Sequence, residues 1–327
     1  DGSEEICIGS VKELNDAIND SVRAGFMNSN PIKGNTDTTS KDFLFDLHRP
    51  YVDDIILVSP GGKKMQRETD LIDVWFDSGA MPYAQWHYMG EDNQLPFTQK
   101  QDNAFPADFI AEGVDQTRGW FFTLHAIAVM LFDGVAFKNV VSNGLVLDKN
   151  GNKMSKRLGN AVDPFETIAK HGADATRWYM ISNADPWDNL KFDISGIDEV
   201  KRKLFGTLYN TYGFFALYAN IDGFKWDEKK QISHSQLTES DRWILSKLNS
   251  LQLEVEKCLN DYDPTPACRA IESFIDEHLS NWYVRLNRRR FWKSENSSDK
   301  QAAYETLYQC LKTVSQLMSP VAPFFSE

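Results

Sequence analysis

Strand and helix patterns alternate between residues 105 and 182, and long helical patterns run from residue 237 to residue 327. The alternation of strands and helices is typical of parallel α/β structure, and the long helical patterns are typical of a helical bundle. Residues 1–104 mix short apolar runs with polar stretches, and residues 183–236 are rich in aromatics. We therefore predict an α/β insertion (1–104) leading into a parallel α/β region (105–182), then a connector (183–236) and an all-α bundle (237–327).

Apolar runs and turn signals place individual elements within this plan. Residues 51–59, 106–111 and 139–147 are predicted strands, the second of them buried. The longest apolar run, residues 120–132, is too short to span a bilayer and is predicted to be a buried core helix. Helix starts are predicted at Asp163, which is followed by Pro164 and Glu166, and at Thr238 or Ser240.

Composition excludes several classes of protein. The chain has 327 residues, a net charge of −12 and 42% hydrophobic residues, so it can bury a sizeable core in two or three domains. The acidic balance argues against nonspecific nucleic-acid binding by the whole surface but permits a local basic site. Its four cysteines are scattered and no secretory signal is visible, which favours a reducing cytoplasm. We predict a soluble cytoplasmic protein, a monomer without a membrane segment.

One such basic site is the stretch GNKMSKRLGN, residues 151–160, which has two lysines and an arginine within five positions. It follows the predicted strand 139–147. Ligands of open parallel sheets bind beyond the carboxyl ends of the strands. The position of these cations therefore predicts an anion site at that edge of the sheet.

The other predicted strand, 106–111, leads directly into polar residues at the same edge. Glu112 stands at its end, Gly113 lets a ligand approach the backbone, and Asp115 and Gln116 lie at a helix start where they can hold hydroxyl or amine groups. Carboxylates opposite lysines suit a substrate with both an amine and phosphates, such as an aminoacyl adenylate formed from ATP. Alternatively, Glu112 and Asp115 cap a helix and the lysines form a solvated turn, and spacing alone leaves both interpretations open.

Several motifs in a fixed order resemble one enzyme family. KMSKR, residues 153–157, resembles the second signature loop of class I aminoacyl-tRNA synthetases. The isoleucyl, valyl and leucyl subgroup has stretches similar to DVWFDSG (73–79), AEGVDQTRGWF (111–121) and GADATRWYM (172–180). The stretches DLHRPYVDDI (46–55) and MPYAQWHY (81–88) narrow the resemblance to isoleucyl members and argue against valyl ones.

The resemblance implies a fold as well as a function. The chain is expected to form the second half of a Rossmann-type catalytic domain with an α/β insertion, followed by part of a helical anticodon-binding domain. The family's first signature, His-x-Gly-His, does not occur in these residues. We therefore expect the first half of the nucleotide-binding fold and the editing domain to lie upstream, and the isolated chain to be inactive.

The resemblance also implies roles for individual residues. It assigns the triphosphate to Lys153 and Lys156, with Lys156 neutralising charge on the departing pyrophosphate. Glu112 would hold the substrate ammonium. The remaining implied contacts are Gly113, Asp115 and Gln116 with the adenylate, Gly144 and Leu145 with adenine, and Trp75 and Trp120 with the amino-acid side chain.

Two positions depart from the family pattern. Arg157 replaces the usual last serine of the signature loop, which adds a positive charge and is compatible with phosphate binding. Asn143, Gly144 and Leu145 stand where many relatives have His-Gly-Phe. Adenine contacts are therefore expected to depend on backbone atoms at Gly144 and Leu145 more than on a side chain.

The helical region has its own basic stretch. Residues 278–294 contain no carboxylate, and Arg285, Arg288 and Arg289 fall on one helical face. Arginines can bind phosphates, and the interleaved aromatics can stack on unpaired bases, so tRNA contact is predicted here. Alternatively, Trp282, Leu286 and their neighbours are core residues and the arginines pair with acidic helices.

The reaction implied by the resemblance is the activation of isoleucine with ATP, followed by its transfer to tRNA(Ile). The expected partners are ATP with its Mg²⁺, isoleucine and the tRNA. No structural metal is predicted, because the histidines have no partners at ligand spacing. A valyl enzyme and a noncatalytic tRNA-binding module remain the alternatives.

Overall fold

The computed structural model describes residues 4–34, 36–38, 40–86, 88, 105–229, 231–292 and 297–327. The chain divides into two compact units, Asp1–Asp77 and Ser78–Glu327. The boundary predicted at residue 104 lies outside the described residues. No helix in the described ranges is long and apolar enough to cross a membrane.

The first unit is a helix with a β-hairpin. Helix α1 (Val11–Arg23) begins at Ser10, whose side chain accepts a hydrogen bond from the backbone N–H of Glu13. Strands β1 (Ile56–Val58) and β2 (Lys64–Gln66) pair antiparallel. Their small core is centred on Ile18, Ile32 and Ile55.

The strand predicted over residues 51–59 is shorter than expected. Hydrogen-bonded turns close back onto Pro50 and Val52, so that β1 begins only at Ile56. The carboxylate of Asp53 accepts hydrogen bonds from Arg49 and Arg67, at 2.9 Å and 2.6 Å, and these bonds stabilise the turn. Aspartate is also unfavourable in strands.

Helix α2 (Val74–Ala84) begins in the first unit and ends in the second. The remaining elements are β3 (Ala107–Gly113), α3 (Trp120–Phe132), β4 (Phe137–Asn143), β5 (Val146–Leu147), α4 (Pro164–His171), α5 (Ala173–Asn183), β6 (Leu190–Lys191), α6 (Ile194–Val200), α7 (Gly206–Asp222), α8 (Glu239–Asn260), α9 (Pro264–Ser273), α10 (Arg285–Trp292), α11 (Ser298–Met318) and α12 (Pro323–Ser326). Strands β3 and β4 pair parallel, as do β5 and β6. Two π-helical stretches, Lys201–Phe205 and Phe274–Val284, join α6 to α7 and α9 to α10.

The parallel strands are less buried than predicted. In β3 only Ile110 is buried, because α3 covers it from one side while the other side chains remain partly or fully exposed. Helix α3 is likewise buried along one face only, with Phe121, Leu124 and Ile127 inside and Phe122 and Met130 outside. The predicted buried strand and core helix do contribute to a core, but each is buried on one face only.

The predicted strand over residues 139–147 is broken into β4 and β5 at Gly144. The backbone N–H of Gly144 donates to the carbonyl of Pro186 at 2.9 Å instead of continuing the ladder. A Cβ atom on Gly144 would lie 2.2 Å from the carbonyl oxygen of Asp188, so only glycine fits this close approach of two backbone segments.

Both predicted helix starts are present. The Asp163 carboxylate accepts hydrogen bonds from the N–H groups of Phe165 and Glu166, at 2.8 Å and 3.1 Å, with Pro164 in the first position of α4. At α8, Thr238 and Asp241 form a reciprocal capping box.

A single large core runs from α5 into the helical bundle. Its fully buried members include Trp178 of α5, Ile244 of α8 and Leu307 of α11, together with Ile275. Helices α6 and α7, which lie in the predicted connector, add Ile197 and Leu208. The three predicted domain boundaries remain a prediction, but this core joins the elements on both sides of the last two.

Hydrogen bonds also connect α5 to the bundle. The pairs are Arg177 Nε with the carbonyl of Val321 (2.8 Å), Trp178 Nε1 with Glu272 Oε1 (2.6 Å), Thr265 Oγ1 with the carbonyl of Ile181 (2.7 Å) and Arg269 Nε with the carbonyl of Ser182 (2.9 Å). Two of them satisfy carbonyl groups in the last turn of α5, which would otherwise lack partners inside the helix.

Candidate adenylate site and nucleic-acid interface

The carboxyl ends of β3 and β4 meet at one edge of their parallel pair, which we call the rim. Glu112 and Gly113 are the register partners of Ser142 and Asn143. The residues that directly follow the two strands are therefore close neighbours. Residues 153–157, predicted at the same edge, follow β5, which pairs with β6 in a separate sheet, so their place beside Glu112 stays a prediction. Gly144 comes immediately after Asn143, so both predicted adenylate-contact segments begin at this rim.

The segment after β3 supports a ligand-facing role for Glu112. Its side chain is exposed and makes no hydrogen bond or ion pair with any described residue. Gly119 is the N-cap of α3, and the N–H of Trp120, the first residue of the helix, donates to Gln116 Oε1 at 3.0 Å. Glu112 is therefore not a helix cap in this structure.

Close packing at the rim fixes Gly113 and Asp115 together. A Cβ atom on Gly113 would lie 2.5 Å from Asp115 Oδ1, so a larger residue would displace that carboxylate. Gln116 Nε2 in turn donates to Asp115 Oδ2 at 3.1 Å. Gly113, Asp115 and Gln116 thus form one small polar arrangement next to Glu112.

Gly144 and Leu145 have backbone partners within the chain. The N–H of Leu145 donates to Asn189 Oδ1 at 2.8 Å, and its carbonyl accepts from Leu190 at 2.9 Å, in addition to the bond from Gly144 to Pro186. Both N–H groups are engaged, so a backbone hydrogen bond to adenine at these residues would use a carbonyl oxygen, which has two lone pairs. The predicted adenine contact stays a prediction.

The lysine loop, residues 153–157, follows β5. The side chains of Lys153, Lys156 and Arg157 are exposed and make no hydrogen bond or ion pair within the described ranges. Met154 lies between them and packs against the large core. Ser155 caps a short 3-10 turn that starts at Lys156, accepting from the N–H of Arg157 at 3.2 Å. The loop therefore presents three cations to solvent, as an anion site requires.

Asp148 and Asn160 flank this loop, and sequence reasoning missed them. Asn160 Nδ2 donates to Asp148 Oδ2 at 3.0 Å, and Asp148 Oδ1 accepts from the N–H groups of Asn150 and Asn152. The backbone N–H of Asn152 and the amide of Asn160 hold the pKa of the Asp148 carboxyl below its ordinary value. The sequence signal that could have found it is an aspartate two residues before Asn150-Gly151, a pattern typical of a side-chain-closed turn.

The two tryptophans predicted to line the amino-acid pocket lie in different units. Trp75 belongs to the first unit and is 43% exposed. Trp120 belongs to the second, where it is half-buried against the α3 core and its indole N–H donates to the carbonyl of Ser78 at 3.1 Å. Their role in a common pocket stays a prediction.

In the bundle, the arginine face (Arg285, Arg288 and Arg289 of α10) is exposed, and none of the three makes an ion pair with a described residue. Trp282 and Leu286 beside it are 56% and 63% exposed. The alternative is therefore right for the neighbours Tyr283, Val284 and Phe291, which are core residues, but not for Trp282, Leu286 or these three arginines.

Arg290, which follows Arg289 in the sequence, is buried and paired, unlike the three residues of the arginine face. It is 9% exposed and forms two hydrogen bonds with the fully buried carboxylate of Asp241, at 2.7 Å and 2.8 Å. Tyr283 and Thr238 donate to the same carboxylate, each at 2.7 Å. Burial raises the pKa of Asp241. The hydrogen bonds from Arg290, Tyr283 and Thr238 together outweigh this effect, so the pKa lies below its ordinary value and the group stays ionised.

No group of three or more histidine, cysteine, aspartate or glutamate side chains in the described residues could hold a metal ion. The polar groups that could bind a ligand are a free carboxylate at the rim, three free cations on the lysine loop and a separate free arginine face. The first two suit a zwitterionic substrate carrying phosphates, and the third suits a polyanion.

Residues 25–193 match the family model for class I tRNA synthetases (I, L, M and V), and residues 241–327 match that for the anticodon-binding domain of tRNA ligases. The chain therefore belongs to the class I tRNA synthetases. The isoleucine–tRNA ligases of Bacteroides thetaiotaomicron and Cytophaga hutchinsonii are 62% and 63% identical to it over its whole length, and that of Thermus thermophilus is 49% identical over 86% of it. The chain spans 26% to 28% of the length of these relatives.

Solved structures support the same fold. LeuRS from Agrobacterium radiobacter K84, in a ternary complex with tRNA and LeuAMS, aligns with 84% of this chain and 33% of its own, with a TM-score of 0.65 at 21% identity. A methionyl-tRNA synthetase of Mycobacterium tuberculosis bound to methionyl-adenylate aligns with 80% of this chain and 53% of its own, with a TM-score of 0.60 at 19% identity. The predicted fold class, part of a class I catalytic domain followed by a helical anticodon-binding region, is confirmed.

Proposed function

We propose that this chain is the part of an isoleucine–tRNA ligase that contains the lysine loop and the start of the anticodon-binding region. This proposal rests on one observation. Glu112, near the end of β3, and the lysines of the loop, which follow β5, are exposed and unpaired among the described residues. Relatives more than 60% identical over the whole chain, which are isoleucine–tRNA ligases, support isoleucine as the amino acid. The corresponding full-length enzyme is a synthetase of the relatives' length that contains this chain.

In this proposal the residues at the rim bind and orient the amino acid. Glu112 takes the ammonium of isoleucine, and Gly113, Asp115 and Gln116 contact the adenylate. Gly144 and Leu145 lie beside the adenine, and Trp75 and Trp120 contact the isoleucine side chain. An unpaired carboxylate next to a fixed polar group can hold an ammonium without first breaking bonds of its own.

The lysine loop acts on the phosphates. Lys153 and Lys156 bind the triphosphate of ATP, which arrives with its Mg²⁺, and the ammonium of Lys156 neutralises the negative charge that collects on the departing pyrophosphate. Point charges that are already in place when this charge develops lower the barrier without further reorganisation. Cytoplasmic location and a monomeric state complete the proposal.

The isolated chain is expected to be inactive in isoleucine-dependent ATP–pyrophosphate exchange, while the full-length enzyme is active. The family's His-x-Gly-His signature is absent from these 327 residues, so half of the residues that bind ATP would have to come from elsewhere. Exchange should be measured on both proteins with isoleucine and with valine. Isoleucine-independent exchange, or a preference for valine, would contradict the proposal, and turnover by the isolated chain at the full-length rate would contradict the division of the ATP site.

The arginine face is proposed to bind the tRNA backbone, with the exposed ring of Trp282 stacking on a base. Arg285→Ala with Arg288→Ala should weaken tRNA binding and reduce the slope of log affinity against log salt by about one for each phosphate that is no longer neutralised. Adenylate formation should not change, because these residues lie in the bundle. Binding measured at several salt concentrations gives the slope.

A matched control for this experiment is Arg23→Ala. Arg23 is also exposed, but it lies on α1 and pairs with Asp20. It should leave the slope unchanged. If the double variant loses melting temperature and adenylate formation together at a constant slope, the arginines are structural and the tRNA assignment is wrong.

A further inference from the structure

The lysine loop is anchored by residues that themselves need not touch a substrate. Asp148 and Asn160 lie twelve residues apart, one on each side of the loop, and a hydrogen bond of 3.0 Å joins their side chains. The two ends of the loop segment are therefore tied together by side chains as well as by the chain itself.

Asn160 binds the loop backbone at two points. Its Oδ1 accepts from the N–H of Ser155 at 2.9 Å, and its Nδ2 donates to the carbonyl of Lys153 at 3.2 Å. These backbone groups lie on either side of Met154, whose side chain packs against the large core. The loop centre is thus held from both directions, while Lys153 and Lys156 remain exposed.

Asp148 fixes the first part of the same segment. Its Oδ1 accepts from the N–H groups of Asn150 and Asn152, at 2.9 Å and 2.8 Å. Its Oδ2 accepts a longer bond, at 3.4 Å, from the side-chain amide of Asn152. The backbone N–H of Asp148 donates to the carbonyl of Asn152 at 2.9 Å, which closes the turn. Among the residues that the structure describes, the Asp148 carboxylate therefore binds this turn and the anchor residue Asn160 and no other group.

The chemistry of the pair is specific. The amide of Asn160 has to accept from Ser155 and donate to Asp148 at the same time, which an asparagine can do and an aspartate or alanine cannot. The Asp148 carboxylate only accepts, which suits the N–H donors that surround it. Aspartate at position 160 would place two carboxylates in contact.

We propose that Asp148 and Asn160 are positioning residues that hold the lysine loop so that Lys153 and Lys156 meet the phosphates of ATP. The inference rests on the proposed function. Removing one anchor frees the loop backbone but leaves both ammonium groups in the protein. Because a displacement of about 1 Å at a reacting group can lower a rate by about 100-fold, the loss should fall on the chemical step.

The first test is Asn160→Ala in the full-length enzyme, with Asn150→Ala as matched control. The side chain of Asn150 is exposed and makes no hydrogen bond within the described ranges, and its N–H bond to Asp148 is kept in the variant. Asn160→Ala should lower kcat for isoleucine-dependent pyrophosphate exchange by about 10- to 100-fold. The KM for isoleucine and the melting temperature of Asn160→Ala should stay close to those of the wild type. In Asn150→Ala, kcat, KM and the melting temperature should all stay close to the wild-type values.

Lys156→Ala, measured in parallel, separates the two proposals. If Lys156→Ala lowers kcat and Asn160→Ala does not, the anchor proposal is overturned while the proposed function stands. If the wild type has no isoleucine-dependent exchange, the proposed function fails and the anchor proposal fails with it. A parallel loss of melting temperature and of isoleucine affinity in Asn160→Ala would make Asn160 a structural residue and would also overturn the proposal.

An exchange of the two side chains gives a test that does not require the alanine variant to fold. Asp148→Asn and Asn160→Asp each lose the complementarity of donor and acceptor. The double variant restores it with the roles reversed and loses only the bond to the carbonyl of Lys153 and the long bond from the side-chain amide of Asn152. The double variant should therefore be at least several-fold faster than the slower single variant. A double variant that folds with a wild-type melting temperature but is no faster than that single variant would refute the positioning role.

Discussion

Lys156→Ala in the full-length enzyme is expected to lower the rate of isoleucine activation by roughly 100-fold or more. The ammonium of Lys156 is exposed, has no partner among the described residues and lies on a loop whose backbone is fixed by Asn160. It can therefore meet the charge that builds on the pyrophosphate. Losing one such preorganised group costs about 3 kcal/mol of transition-state stabilisation.

Pre-steady-state measurement of adenylate formation would give this rate directly. Isoleucine affinity should change far less, because the proposed function assigns the lysine to the phosphates and Glu112 to the amino acid. Arg157→Ser is the matched control, since it removes the neighbouring positive charge and restores the serine that is usual in the family. If both variants slow activation equally, the loop acts through total charge, and an unchanged rate in Lys156→Ala would remove that residue from the mechanism.

The second large effect is expected for stability. Arg290→Ala should lower the free energy of unfolding of the helical bundle by about 3 to 5 kcal/mol, because it leaves the buried carboxylate of Asp241 without its charged partner. Asp241 is fully buried and receives two hydrogen bonds from Arg290. Thermal unfolding of the 327-residue chain, followed by far-UV circular dichroism, would show the loss as a lower midpoint.

Arg289→Ala is the matched control, because Arg289 is the adjacent residue of the same type but is exposed. It should change stability by no more than about 0.5 kcal/mol. Replacing Asp241 and Arg290 together by leucine and methionine should recover much of the loss, since the buried charge is then absent. Equal destabilisation by Arg289→Ala and Arg290→Ala would show that the buried ion pair is not the cause.

The pH dependence of this contribution follows from the direction of the pKa shift. The folded-state pKa of Asp241 lies below its ordinary value, so its contribution is present above an unfolded pKa of about 4 and is lost as pH falls through the folded value. At neutral pH the pair is therefore fully effective.

The features that sequence predicted well are those set by neighbouring residues. Asp163 and Thr238 were recognised as helix starts because a capping side chain binds the backbone two or three residues away. The order of strands also placed Glu112 and Gly144 at one edge. Neither inference required knowledge of distant contacts.

The features that sequence missed depend on distant partners. Arg289 and Arg290 are the same residue type and adjacent in one helix. Only contact with Asp241, 49 residues away in the sequence, distinguishes the buried Arg290 from the exposed Arg289. The anchoring of the lysine loop likewise requires Asp148 and Asn160 to meet across the loop. The exposure of β3 was underestimated, because a mostly apolar stretch does not indicate whether one or both faces of the strand are covered by other elements.

The hydrogen bonds between α5 and the bundle bear on protein engineering. The family models end at residue 193 and resume at residue 241, which suggests a place to exchange modules between relatives. Yet Trp178 and Arg177 lie before this gap and are bonded to Glu272 and Val321 after it. A chimaera that takes its bundle from another synthetase would have to bring the matching α5 with it, so the transferable module begins at residue 173, well before the apparent gap.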